Sequence, residues 1–124
     1  EIYGHKNIKA DVKGEERFIL KSDEQMASVL IGNLVKNAFL YTPEGGSIEI
    51  QMSRTGFSIS NDGNAPLDKE KVFRRFYQPS GRREGATGLG LALVYSVCIN
   101  NGLDITYDYA DGRHIFSIIL KKSK

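Results

Sequence analysis

Near the start of the chain, Ile8, Ala10 and Val12 alternate with Lys9, Asp11 and Lys13, which predicts a half-buried strand. Gly14-Glu15-Glu16 then predicts a turn into a second strand over 17–21. At Ser22 the period changes. Ser22-Asp23-Glu24-Gln25 has the form of a capping box, and Met26, Leu30, Leu34, Ala38 and Tyr41 recur at helical spacing. A helix is therefore expected from Asp23 to about Tyr41, ended by Pro43 and Gly45-Gly46. Ile48, Ile50 and Met52 alternate with polar neighbours, Thr55-Gly56 turns the chain, and Phe57 and Ile59 alternate back as a hairpin.

Residues 61–68 read as loop, and Asp68 as the cap of a short helix ending near Phe76. Residues 79–87 are again loop, rich in Gly and Arg. Gly88 to about Asn101 is apolar at helical spacing and stops at Gly102. Asp111-Gly112 between two alternating runs, 103–110 and 113–121, is a strong hairpin signal. Strands, helix, hairpin, loop, helix and hairpin predict an α+β fold. It should be a two-layer sandwich with one mixed, mostly antiparallel sheet and helices on one face.

Composition narrows the function. At 124 residues and 13.8 kDa the chain is one domain, and 40% hydrophobic with 26% charged residues is a globular mixture. No apolar run approaches the ~20 residues of a membrane span. A net charge of +2 gives no footprint for nucleic acid or an anionic membrane. One cysteine and two distant histidines exclude a disulfide framework and a Cys/His zinc cluster. Cys98 reads as a small core residue, and His5 and His114 form no nucleophile or metal arrangement. The 13 glycines are unusual because Gly81, Gly85, Gly88 and Gly90 crowd together, which marks a loop whose backbone approaches something.

Four constellations could carry chemistry. Asn33 and Asn37, four apart, leave one helix face about one turn apart, on the apolar stripe itself. Amides there cost free energy unless bonded. Either they bond neighbouring backbone or solvent, or an amide oxygen ligates Mg²⁺, a hard ion that keeps water and phosphate oxygens elsewhere. Gly85-Ala86-Thr87-Gly88-Leu89-Gly90 runs into a helix start, where backbone N–H groups and the dipole suit an oxyanion. It lacks the Lys-Ser/Thr of a Walker loop and the third small residue of a dinucleotide fingerprint, so a flexible loop stands beside a phosphate cradle. Asn61-Asp62-Gly63-Asn64 is a plain turn or a reader of a base edge. Phe73-Arg74-Arg75-Phe76-Tyr77, with Arg82-Arg83 beyond, is packing and solvated charge unless a phosphate lies nearby.

In this order the four segments resemble the ATP-binding catalytic domain of sensor histidine kinases, in the superfamily of DNA gyrase and the DNA-repair and chaperone ATPases. Residues 30–38 match the N box, Asn61-Asp62-Gly63 the first glycine box, 73–77 the F box and 85–93 the second glycine box. The resemblance covers nearly the whole chain. It implies a mixed sheet under three helices. It implies that Asn37 holds Mg²⁺ on the ATP phosphates with Asn33 nearby, and that Tyr41 packs on adenine. Asn61, Asp62 and Gly63 would recognise the adenine amine. Gly85, Thr87, Gly88, Leu89 and Gly90 would form lid and phosphate-facing helix start, and Arg83 would contact the γ-phosphate.

Hydrolysing relatives carry Glu at the Asn33 position, and an amide cannot act as general base, so phosphoryl transfer is expected over hydrolysis. For the same reason a serine-specific anti-sigma-factor kinase is disfavoured. The sequence departs from the family at three places. Asn61 stands where an aspartate is usual, and an amide that flips also suits guanine, so weaker adenine-over-guanine discrimination is expected unless Asp62 takes over the contact. Leu40 and Gln78 stand where basic residues are frequent, leaving Arg82, Arg83 or Lys36 to compensate, or turnover slow. A weakly nucleotide-binding sensing or scaffolding module is therefore the second reading.

The resemblance further implies ATP and Mg²⁺ as cofactors, a phosphoacceptor histidine upstream in a parent protein, a response regulator downstream, and a cytoplasmic setting. It implies no nucleic acid and no direct membrane contact by this domain. His5-Lys6-Asn7-Ile8 lacks the His-Glu-x-x-Thr/Asn-Pro form, so residues 1–124 read as an excised catalytic domain that binds ATP without phosphorylating itself.

Overall fold

The computed structural model describes residues 9–13, 24–52, 56–77 and 89–120. The described elements are β1 (Lys9–Lys13), α1 (Glu24–Tyr41), β2 (Ser47–Met52), β3 (Gly56–Asp62), α2 (Gly90–Asn100), β4 (Leu103–Ala110) and β5 (Arg113–Leu120). Their strands form one sheet in the order β1-β2-β3-β5-β4. β1 runs parallel to β2, and the other pairs are antiparallel. The α+β class and the mixed, mostly antiparallel sheet are as the sequence pattern predicts. The strand expected over 17–21 and the capping Ser22 lie outside the described residues.

α1 buries Leu30, Leu34 and Ala38, the stripe four residues apart, and α2 buries Val94 and Cys98 the same way. Both stripes meet Phe57, Ile59, Phe116 and Ile118 of the sheet in one core. Each of the larger side chains here, such as Leu30, Leu34 and Phe57, contributes about 1.5–3 kcal/mol when taken fully from water, which is what holds the helices on this face. Cys98 belongs to that core, and burial first, then the charge of Asp104, pushes its thiol up to about 11. It is therefore an inert packing residue.

The closing hairpin is tight because Asp111 and Gly112 both take left-handed backbone, with φ of 54° and 74°. The turn fixes the register of β5 against β3 and β4. The inward positions then fall in rows across the sheet. Met52, Phe57, Ile118 and Ile105 make one row, and Ile50, Ile59, Phe116 and Tyr107 the next. The third row is Ile48, Asn61, His114 and Tyr109, where the apolar floor turns polar.

The short helix expected over 68–76 is not formed. Asp68 does cap the segment, accepting from the backbone N–H of Glu70 at Oδ1 (2.9 Å) and of Val72 at its carbonyl (2.8 Å). Beyond that the chain makes successive turns, and Phe76 enters the left-handed region at φ 67°, which a helix cannot continue through. Among the described residues the sheet thus lies under two helices rather than three. None of these helices is long and apolar enough to cross a membrane.

Candidate functional site

A cavity of about 910 Å³ lies over the polar row, walled by α1, α2 and the turns after β3. That is the upper part of the usual size range for a small-molecule site. Asn33 and Asn37 stand on its α1 wall, with Tyr41 a turn further on. Asn61 and Gly63 lie at the β3 end, and Leu89 and Gly90 bring in the start of α2. Helical spacing on one side and strand alternation on the other therefore aim three amides into one space.

The two α1 amides differ. Asn33 donates from Nδ2 to the Val29 carbonyl at 2.8 Å. Its oxygen is thereby turned toward α2, where a Cβ on Gly90 would stand 3.1 Å from Oδ1. A glycine at this position lets the helix start come close to the amide oxygen. Asn37 makes no side-chain hydrogen bond to a described residue and keeps its amide for the cavity. Lys36 and Arg75 also line the space, and no carboxylate does so among the described residues. The charge at the rim therefore favours an anion.

Asn61 and Asp62 go separate ways because adjacent strand residues face opposite sides. Asn61 is buried on the inward face, and its Nδ2 donates to the Asp62 carbonyl at 3.2 Å. Asp62 faces outward. Its Oδ1 accepts from Arg113 at 2.8 Å and its Oδ2 from the Ser47 N–H at 2.8 Å. Asp62 does not line the cavity, so the expectation that it contacts the ligand fails on geometry. Its carboxylate instead ties β3 to β2 and β5. A flip of Asn61 would set its oxygen against the Asp62 carbonyl, which disfavours the orientation that would suit guanine.

His114 is the cavity residue that sequence reasoning missed. It stands directly opposite Asn61 in the β3–β5 register and lines the same space. Tyr107 Oη accepts from the Leu67 N–H at 2.8 Å and lies 2.8 Å from His114 Nδ1. Tyr107 is buried, and burial foremost raises its hydroxyl above the ordinary value of 10.0, so it remains a donor. With the hydroxyl donating to Nδ1, the imidazole carries its proton on Nε2. The parity of Phe116 and Ile118 carries this signal in sequence, since counting back by two puts His114 on the inward face.

Burial holds the His114 imidazole below its ordinary value of 6.5. The unfolded chain then takes up a proton near pH 6.5 that the folded chain resists. This contribution to stability is complete above that pH and is lost as the pH falls toward the folded value. Urea unfolding at pH 7.5 and 5.5 should show a drop that His114→Gln reduces.

Of the other sequence candidates, Arg82, Arg83, Gly85, Thr87 and Gly88 lie outside the described residues, as does Gln78. Leu40 lines the α1 wall.

Comparison with known proteins accords with this arrangement. Residues 22–124 match the family described as histidine kinase-, DNA gyrase B-, and HSP90-like ATPase. The sensor histidine kinase RppB of Synechocystis is 30% identical over 129 residues, spanning 96% of this chain and 28% of RppB. The chain thus spans less than a third of that relative. Among solved structures, the mycobacterial sensor histidine kinase MprB superposes with a TM-score of 0.79 at 23% identity, covering 96% of this chain and 87% of that one. Full-length ShkA in complex with AMPPNP gives a TM-score of 0.72 at 22% identity, covering 98% of this chain and 28% of that one. These two likenesses concern the fold. The family match over most of the chain, on a fold shared with sensor kinases, places it: the chain belongs to the histidine kinase-, DNA gyrase B- and HSP90-like ATPase family, as a catalytic and ATP-binding domain of the sensor histidine kinase type.

Proposed function

We propose that the chain binds Mg-ATP in this cavity and passes the γ-phosphoryl group to a histidine on a phosphoacceptor domain of its parent protein. A response-regulator aspartate would be the next acceptor, on the cytoplasmic side where ATP is available. The observation that carries this reading is the convergence of Asn33, Asn37 and Asn61 on one cavity. Its described lining offers cations and no carboxylate. The AMPPNP held by the fold neighbour ShkA supports a nucleotide as the occupant.

The base would lie against the polar floor and the triphosphate toward α1 and the start of α2. Asn61 is set to accept from an amine, because its own N–H₂ is engaged with Asp62. Lys36 and Arg75 neutralise phosphate charge at the rim. No group of three or more metal-binding side chains exists among the described residues. A cation here must take most of its ligands from phosphate and water, and one amide oxygen, that of Asn37, completes such a set for Mg²⁺. The bound ion would offset the charge that develops on the transferred group.

Asn33 is a poor activator of water. An amide accepts no proton at neutral pH, and its Nδ2 is tied to Val29. Residues 1–124 incubated with γ-labelled ATP and the parent's phosphoacceptor hairpin should therefore label the hairpin and release little free phosphate. Phosphate release without label on the hairpin would refute transfer. The apolar Leu40 on the cavity wall favours the second reading, a nucleotide-sensing module. Tight ATP binding with neither label nor phosphate release would select it.

A further inference from the structure

The buried imidazole on the cavity floor has no part in the phosphate chemistry. His114 is 7% exposed, yet it lines the cavity beside Asn61, its direct cross-strand neighbour. Side chains so paired lie about 5 Å apart at Cβ, close enough to face one edge of one base. With Tyr107 donating to Nδ1, the imidazole proton sits on Nε2. Nε2 lies over Gly63, where an added Cβ would come within 2.1 Å of it. No buried side-chain polar atom among the described residues lacks a partner. Nε2 makes no hydrogen bond to a described residue, so it is open to the cavity rather than sealed and orphaned.

The floor therefore offers an acceptor beside a donor: Asn61 Oδ1 and His114 Nε2–H. The sugar of a bound nucleoside triphosphate must point back toward the Asn33 and Asn37 wall. The buried floor then meets the edge of the base farthest from the glycosidic nitrogen, which in adenine is the N6 amine beside N1. The amine is a donor and N1 an acceptor, the complement of the two side chains.

We infer that His114 is a base-reading residue, its Nε2–H donating to adenine N1 while Asn61 Oδ1 accepts from N6, with Tyr107 as the positioning residue that fixes the tautomer. The assignment rests on the nucleotide-binding reading above and makes it specific. Guanine would set its O6 against Asn61 Oδ1 and its N1–H against the imidazole N–H. Two like groups would then meet without water, so the floor rejects guanine despite the missing aspartate. The neutral imidazole needed for this is the form that burial favours.

The test is calorimetric titration of the chain in Mg²⁺ with ATP, 1-deaza-ATP, 7-deaza-ATP and GTP. 1-Deaza-ATP replaces N1 by a C–H, and 7-deaza-ATP changes N7, which flanks the amine on the side opposite N1. ATP and 7-deaza-ATP should bind alike, 1-deaza-ATP roughly ten-fold more weakly, and GTP more weakly still. In His114→Ala the gap between ATP and 1-deaza-ATP should close. Should that variant not fold, Tyr107→Phe keeps the ring in place and should narrow the same gap. It should also shift the imidazole nitrogen resonances toward a mixture of tautomers.

Equal affinity of the unsubstituted chain for ATP and 1-deaza-ATP overturns the assignment. So does equal affinity for ATP and GTP, or a 1-deaza loss that persists in His114→Ala. In each of these cases ATP still binds, and the nucleotide-binding reading stands. If ATP itself does not bind, both fall.

Discussion

Asn37→Ala should remove most of the Mg²⁺-dependent part of ATP affinity, a loss of about 2 kcal/mol or roughly thirty-fold. Asn37 lines the cavity wall and makes no side-chain hydrogen bond to a described residue, so its amide oxygen is free to meet an ion. Alanine is the better helix former, and Asn37 is only half-buried, so the fold should not suffer. ATP titrations with Mg²⁺ and with EDTA separate the terms. In the unsubstituted chain the two affinities should differ, and in Asn37→Ala they should come together. A variant that keeps the full Mg²⁺ response would remove Asn37 from the metal site.

The second large effect is expected at Gly63. A Cβ there would lie 2.1 Å from His114 Nε2 and 2.3 Å from Cδ2. Neither side can yield easily. The ring is held by Tyr107 at 2.8 Å, and the glycine backbone is held by Gly112 at 3.0 Å and by Tyr109 Oη at 2.9 Å. Gly63→Ala should therefore cost about 1–3 kcal/mol of stability in urea unfolding and weaken ATP binding with it. Adding His114→Ala to Gly63→Ala should return part of the stability, because the methyl group then has room. Gly32→Ala is the control. It stands exposed in α1 with nothing within 4 Å of an added Cβ, and should stabilise by about 0.5–1 kcal/mol. If Gly63→Ala behaved like Gly32→Ala, the packing of His114 on that glycine would be wrong.

Much of this site was legible in the sequence because it is local. Asn33 and Asn37 share a face by helical spacing alone, and the glycines opening α2 announce a close approach. That Gly90 is close to Asn33 is a tertiary fact no local pattern carries. Asn61 and Asp62 were grouped as one turn, although the alternation of Phe57 and Ile59 already places them on opposite faces. Asp62 was lost to Arg113, a partner on another strand. His114 was overlooked because it looked solitary. It gains its role from β3 across the register and from Tyr107 on β4. The third helix failed because one capping aspartate does not make a helix. The pattern from Asp68 had the start signal but no sustained apolar stripe, and Phe76 breaks it.

The most direct measurement is an ATP titration of isotopically labelled chain in Mg²⁺, followed at single residues by nuclear magnetic resonance. A nucleotide lying across this cavity should move the side-chain amide signals of Asn33, Asn37 and Asn61 and the ring signals of His114 along one saturating curve. The outward-facing Asp62–Arg113 pair should shift far less. Saturable ATP binding that leaves those four residues unmoved would contradict the site, and so would the absence of any ATP binding.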